Sequence, residues 1–375
     1  MVLCNVYAVY IKIMNNENQT IHKFDFNLNW YGWNDKLSQL KQESLYSTLP
    51  HGRISIVHRT CYEVVSENGL FQCELTGNMM YGKSDAELPC TGDWVLFQPF
   101  DENKGIIVYM LPRERTLYRK KSGTVADKQA IASYVDKAFI VQSLDDNFNV
   151  RRVERFMVQV LEENIKPVLV LNKSDLDFDR QSVEEQINHI SNQIPVFFTS
   201  IHQPQTILRL RESISEGETV VFVGSSGVGK SSLVNALCEK SVLLTSDISL
   251  STGKGRHTST RREMVLMDGS GVLIDTPGVR EFGLAIDNPD SLTEMFEISD
   301  YAESCRFSDC KHIDEPGCAV LEAVHNGTLD HKVYESYLKL RREAWHFSAS
   351  EHEKRKKEKS FTKLVEEVKN RKANR

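Results

Sequence analysis

Asn172-Lys173-Ser174-Asp175 precedes Gly224-Ser225-Ser226-Gly227-Val228-Gly229-Lys230-Ser231, and Asp275-Thr276-Pro277-Gly278 follows both. Each stretch comes directly after an apolar run: PVLVL before the first, TVVFV before the second, VLI before the third. Continuous apolar runs of this kind, with AFIVQ and PVFFT beside them, read as strands of a parallel sheet buried on both faces. The helical period VERFMVQVLEE lies between two of them, with Val153, Phe156, Met157 and Val160 on one face. All three motifs therefore fall at carboxyl ends of strands, where open α/β sheets bind ligands.

The second motif fits GxxxxGK[ST] between a strand and the helix SSLVNALCEK. Its glycines let backbone N–H groups from Gly224 to Ser232 curl around phosphates, and the helix N-terminus favours the negative charge. Lys230 is expected to neutralise the β and γ phosphates and Ser231 to hold Mg2+. Asp275 is the expected acid that reaches Mg2+ directly or through water, and Gly278 is expected to offer an N–H to the γ-phosphate. In the first motif, Asp175 can accept from both N1–H and the N2 amine of guanine, whereas adenine leaves that carboxylate unpaired. The Lys173 stem can lie over the base, Asn172 can tie this loop to the phosphate loop, and Thr199-Ser200 after PVFF occupies the place of a supporting loop. GTP and GDP are the ligands this set predicts. A metabolic kinase or ATPase is disfavoured by Asp175.

Ras-like GTPases carry the phosphate loop first and NKxD near the end. The reversed order here predicts a circular permutation of the same sheet. Between the two halves of the phosphate site, Ser251 to Thr260 is glycine-rich, basic and hydroxylated. It reads as a loop over the phosphates, with Thr258 or Thr260 as a further Mg2+ hydroxyl and Lys254, Arg256 and His257 able to meet phosphate or RNA; the bland alternative is a flexible loop with incidental charges. Val279 occupies the position where Ras-like enzymes place the water-orienting glutamine, a task valine cannot perform, so either another group holds the water or intrinsic hydrolysis is slow and the chain is a GTP-dependent RNA- or ribosome-binding switch module. His257 is the nearest candidate for such a group, against a structural or RNA-contacting histidine.

Of eight cysteines, Cys305, Cys310 and Cys318 crowd with His312 into 14 residues, and the others are scattered. Three thiolates and an imidazole complete a tetrahedral Zn2+ site with no open position, which points to a structural rather than hydrolytic metal, against a chance cluster. The same usage favours a reducing cytoplasm over a disulfide framework. Residues 51–113 alternate between short apolar–polar runs and Asn/Gly turns, which predicts a small antiparallel barrel, economically an OB-fold, with a sandwich fragment as the alternative. Residues 1–50 read as an aromatic-bearing extension packed on its neighbour, and Met14 is a second candidate start.

The chain has 375 residues, 40% hydrophobic and 26% charged, enough for two or three domains. With mean hydropathy −0.38 it reads as soluble and globular. No apolar run approaches the ~20 residues that span a bilayer, and the first residues lack the basic leader and cleavage site of a secretory signal. The net charge of −6 is unevenly spread: Leu338 to Arg375 holds 13 Lys+Arg against 6 Glu, leaving about −13 elsewhere. A phosphate-bearing partner would meet this end first; a solvated charged helix is the alternative.

These motifs together resemble the RsgA (YjeQ/YloQ) family of GTPases that depend on the small ribosomal subunit. The resemblance covers residues 51–345: HGRISIVHRTCYEV and GDWV, DDNFNVRRVERF, NKSD before GSSGVGKSSLVNAL, GRHTSTRRE, DTPGVREFGL and the Cys-His cluster. It implies an OB barrel (51–113), a circularly permuted GTPase domain (114–285) and a helical zinc domain (286–347), flanked by the extension (1–50) and a basic tail (348–375). It also implies late maturation of the small subunit, hydrolysis stimulated by that subunit with release following, contact with its rRNA, zinc on Cys305, Cys310, His312 and Cys318, and a switch histidine at His257. A monomer is expected. The chain departs from the family's usual string at Ala132 to Asp136, ASYVD in place of AANVD.

Overall fold

The computed structural model describes residues 26–120, 128–238, 263–267, 269–276, 292–293, 296 and 298–348. Five strands form the first body: β1 His51–Val57, β2 Tyr62–Ser66, β3 Gly69–Leu75, β4 Trp94–Asp101 and β5 Lys104–Met110. They run β1-β2-β3-β5-β4, and β4 pairs back onto β1, so the sheet closes and no edge is left within it. The β3–β5 pair is parallel while its neighbours are antiparallel, which is the OB arrangement; the sandwich alternative falls away. Inward positions follow the period of two: Ile54, Val64, Phe71, Cys73, Val95, Phe97 and Ile107 fill the barrel.

A hairpin, β6 Leu117–Lys120 with β7 Lys128–Ala132, leads into the second body. That body contains β8 Lys137–Ser143, β9 Lys166–Asn172, β10 Val196–Thr199, β11 Thr219–Val223, β12 Glu263–Leu266 and β13 Val272–Asp275, ordered β10-β9-β8-β11-β13-β12. All but β12 are parallel. Joining the end of β10 to β11, as this chain does, and cutting before β8 yields the permuted order that the motifs require. One sheet face packs Phe139, Val141, Val170 and Phe222 against helices at Pro204–Glu212 and Lys230–Leu237. The other packs Ile140, Leu171 and Val223 against the helix Val150–Glu162, whose Val153, Phe156, Met157 and Val160 are all buried.

Two features were not foreseen. The hairpin is one, and β12 the other: a four-residue strand that pairs with β13 on one side and with β1 of the barrel at Ile56–Glu263 on the other, so barrel and GTPase-type sheet are continuous. The N-terminal segment from residue 26 buries Leu28, Tyr31 and Leu37, and Trp33 packs against His51 and Trp94 of the barrel. At the other end, Ala319–His325 and His331–Ser348 are helices whose Val320, Tyr337 and Leu340 are buried. Among the described residues no helix is long and apolar enough to cross a membrane.

Candidate nucleotide site and metal centre

Because β8, β9, β10, β11 and β13 are parallel, their carboxyl ends share one edge, and Ser143, Asn172, Thr199, Val223 and Asp275 arrive there together. The phosphate loop begins on this edge. Val228 anchors it in the core, fully buried. Gly224 and Gly229 hold φ of 150° and 92°, and a Cβ on either would stand 2.4 Å from Val141 O or Asn172 Nδ2, so only glycine fits. Lys230 opens the following helix, and its Nζ donates back to Gly224 O at 2.8 Å and Ser225 O at 2.7 Å, which holds the ammonium over the loop. Ser231 and Ser232, both half-buried, follow in the first turn.

The loop Asn172–Asp175, expected to read the base, is fastened to this one. Asn172, 3% exposed, donates from Nδ2 to Val228 O at 2.8 Å, and its Oδ1 accepts from Thr199 Oγ1 at 3.3 Å. Ser174 N donates to Thr199 O at 3.0 Å. Lys173 sits at φ 61° with its Nζ 2.8 Å from Asp145 Oδ2. Asp175 is exposed, and the Ser200 side chain hydrogen-bonds its carboxylate and holds its pKa below the ordinary value. An ionised, outward-facing acceptor at a strand end is the group a guanine edge requires.

Asp275 is 2% exposed, and among the described residues its Oδ2 has no hydrogen-bond partner. Burial pushes its pKa up, opposed by the nearby Lys230. A buried carboxylate oxygen left unpaired is costly unless a cation meets it. Its place beside Lys230 and the phosphate loop fits Mg2+ carried with a nucleotide. Thr276 Oγ1 donates to Phe222 O at 2.6 Å and fixes the chain just past the strand. His257, Thr258 and Gly278 lie outside the described residues, as do Thr260 and Val279.

The ligand atoms of Cys305, Cys310, His312 and Cys318 lie within 4.8 Å of one another. Cys305 Sγ is 3.9 Å from Cys318 Sγ and 3.6 Å from His312 Nδ1, and Cys318 Sγ is 3.5 Å from that nitrogen. Tetrahedral zinc bonded at ~2.3 Å to sulfur and ~2.0 Å to nitrogen separates its ligands by about 3.8 Å (S to S) and 3.5 Å (S to N), so the donor set fits. Burial raises the Cys305 pKa, but N–H groups of Val320 and Ala319 at the start of the helix Ala319–His325 hydrogen-bond its sulfur and leave it lowered overall. Tyr334 Oη fixes the His312 backbone through a 2.6 Å bond to its carbonyl.

Two residues at the nucleotide edge lie in the stretch DDNFNVRRVERF that carries the resemblance but were given no role there. Asp145, beyond β8, pairs with Lys173; Arg152, in the first turn of Val150–Glu162, donates from Nη1 to Ser225 Oγ at 3.1 Å. The available signal was an acidic pair, Asp145-Asp146, and a basic pair, Arg151-Arg152, flanking a strand-to-helix loop on the edge where the motifs gather.

A family model described as RsgA GTPase matches residues 110–285, and one described as 50S ribosome-binding GTPase matches residues 219–372. Over 361 residues, 96% of this chain and 100% of the relative, the sequence is 81% identical to the small ribosomal subunit biogenesis GTPase RsgA 1 of Bacteroides thetaiotaomicron. It is 35% identical to the small ribosomal subunit biogenesis GTPase RsgA of Leptospira interrogans over 90% of this chain and 95% of that one. Among solved structures, YjeQ from Thermotoga maritima superposes with a TM-score of 0.60 at 28% identity, covering 79% of this chain and 98% of that one. YloQ, titled a circularly permuted GTPase, gives 0.59 at 24% identity over 82% and 99%, a likeness of fold.

Proposed function

The chain belongs to the RsgA family of GTPases, and from that premise we propose that it hydrolyses GTP on the small ribosomal subunit during that subunit's late maturation, with hydrolysis stimulated by the subunit and coupled to release. The observation that carries this is the meeting of base loop, phosphate loop and Asp275 on one sheet edge, in a chain 81% identical along nearly its whole length to a protein named for small-subunit biogenesis. The name of one family model points instead to the 50S particle. That model matches only from the phosphate loop onward, so the near full-length likeness has more weight.

In this reading Asp175 selects guanine, Asn172 and Thr199 hold its loop, and Ser200 keeps the carboxylate ionised. Lys230 and the N–H groups of the glycine loop take the phosphates. Ser231 and Asp275 would hold Mg2+, which when bound neutralises charge on the β and γ phosphate oxygens. Thr258 and Gly278 complete the γ-phosphate side, and His257 is the group we assign to the attacking water. Cys305, Cys310, His312 and Cys318 would hold one Zn2+ that fixes the C-terminal helices. We place rRNA contacts on the barrel (51–113), the zinc domain (286–347) and the basic tail (348–375), and the protein, as a monomer, in the cytoplasm.

Single-turnover GTP hydrolysis with no addition, with 30S subunits or with 50S subunits tests the reading. Stimulation of about tenfold or more by 30S alone is expected. Equal rates in all three would leave a GTP-dependent binding module in its place, and a response to 50S alone would reassign the partner. His257→Ala should abolish most of the stimulated rate.

A further inference from the structure

The loop between β8 and the helix Val150–Glu162 touches both nucleotide motifs through one series of hydrogen bonds. Lys173 Nζ meets Asp145 Oδ2 at 2.8 Å. The other carboxylate oxygen, Oδ1, accepts from Ser143 Oγ at 2.6 Å and from Asn147 N at 3.0 Å. The Asn147 carbonyl in turn accepts from Arg152 Nη1 at 3.3 Å, and the same Nη1 donates to Ser225 Oγ at 3.1 Å. Asn149 caps the helix by accepting from Arg152 N at 3.2 Å, which fixes the arginine's origin. Burial would raise the Asp145 pKa, but bonds from Lys173, Ser143 and Asn147 outweigh it and keep the carboxylate charged at neutral pH.

We propose that Asp145 and Arg152 are positioning residues that make guanine recognition and phosphate binding interdependent, through the series Lys173, Asp145, Asn147, Arg152, Ser225. The Asn172–Val228 bond ties the two loops at their buried base. The series ties them at the rim, where the Lys173 ammonium and the Ser225 side chain would otherwise be free to move. Ser225 is held from two sides, its carbonyl accepting from Lys230 and its hydroxyl from Arg152. A ligand that orders Lys173 thereby orders Asp145 and Asn147, and the orientation of Arg152 follows. The coupling is carried by contiguous polar contacts, each with a defined partner, and it works in both directions because linkage is reciprocal.

The inference rests on the assignment of the Asn172–Asp175 loop to the base. It is tested with a ligand that occupies one end only. Guanosine has no phosphate, so a residue serving the phosphate loop alone has no influence on its affinity. Arg152→Ala is expected to weaken guanosine about threefold or more and GDP about tenfold, with Arg152→Lys restoring much of the loss. Ser225→Ala, which removes the acceptor without opening a cavity, should reproduce the guanosine effect. Melting curves of the ligand-free variants establish that each is folded. Weaker GDP binding with unchanged guanosine affinity in both variants would overturn the coupling and leave Arg152 a phosphate-loop contact. An Asp175→Asn arm separates the two ideas: it should weaken guanosine and admit xanthosine, and if it does neither, the base assignment fails rather than the brace.

Discussion

Arg53 Nη1 of the barrel donates to Thr219 Oγ1, at the start of the strand leading into the phosphate loop, across 2.8 Å. The guanidinium is 1% exposed and lies over Trp94; it also donates to carbonyls of Gly92, Tyr31, Ser133 and Tyr134. Asp136 grips the same residue from the other side, accepting from Thr219 N at 2.8 Å. One buried cation therefore joins the N-terminal segment, the barrel and the nucleotide-binding sheet. Burial lowers its pKa to about 10, still well above neutrality, so the charge persists.

Arg53→Met keeps most of the volume and removes every donor. Several buried carbonyls and one hydroxyl lose their partner together, at about 1–3 kcal/mol for each group left unsatisfied, with incomplete additivity. A total loss of roughly 3 kcal/mol or more is expected, read as a melting temperature lower by several degrees. An unchanged melting profile would show that water replaces the guanidinium without cost.

The motifs were legible because each compresses its geometry into a few adjacent residues: Gly224 to Ser231 needs no distant partner to be recognised, and Cys305 to Cys318 holds a whole candidate set of metal ligands. The five barrel strands were legible from alternation. Arg53 was not, since nothing in RISIVHR marks its first arginine as buried, and its five acceptors come from four separate stretches of chain. The strand β12 escaped because four residues, EMVL, carry too little periodicity to separate strand from loop. Asp145 and Arg152 escaped for a related reason: their partners, Lys173 and Ser225, are brought near only by the sheet order.

Acid should loosen the junction at His51. Its ring packs on Trp33 at a tilt of 32° with centroids 3.8 Å apart, and its Nδ1 accepts from Lys41 Nζ at 3.2 Å. Burial, with the Lys41 charge adding to it, lowers the histidine pKa from 6.5 to about 4. The unfolded chain therefore binds more protons than the folded one between these values, and stability falls as pH drops from about 6.5 towards 4. His51→Gln keeps an acceptor for Lys41 and does not titrate. Its denaturation midpoint should vary less with pH across that window, and an identical slope in both proteins would place the acid sensitivity elsewhere.

Removal of the metal should act on the C-terminal helices first. Coordination free energy is folding free energy when the ligands are scattered in the unfolded chain, and the cluster lies against buried Tyr334 and Tyr337. Cys310→Ser should lose zinc, and hydrogen exchange after residue 298 should accelerate while the barrel retains its protection. Full zinc content in the purified variant would remove Cys310 from the ligand set.

Gly229 of the phosphate loop faces Asn172 of the other loop, and an alanine there tests how far their geometry is shared. Its φ of 92° is unfavourable for any side chain, and the added Cβ would stand 2.4 Å from Asn172 Nδ2. That amide cannot simply turn aside, because it is buried and donates to Val228 O while its oxygen accepts from Thr199. Either the phosphate loop shifts outward or Asn172 loses its bonds, and both disturb the base loop. Gly229→Ala should weaken GDP at least tenfold, on the order of the 1.4 kcal/mol that backbone strain and one lost hydrogen bond supply. Asn172→Ala alone should cost a similar amount by releasing the tie. With Asn172 already shortened the clash is gone, so the double variant should bind distinctly better than the product of the two losses, and strictly multiplicative losses in calorimetry would mean that the two loops answer to the nucleotide separately.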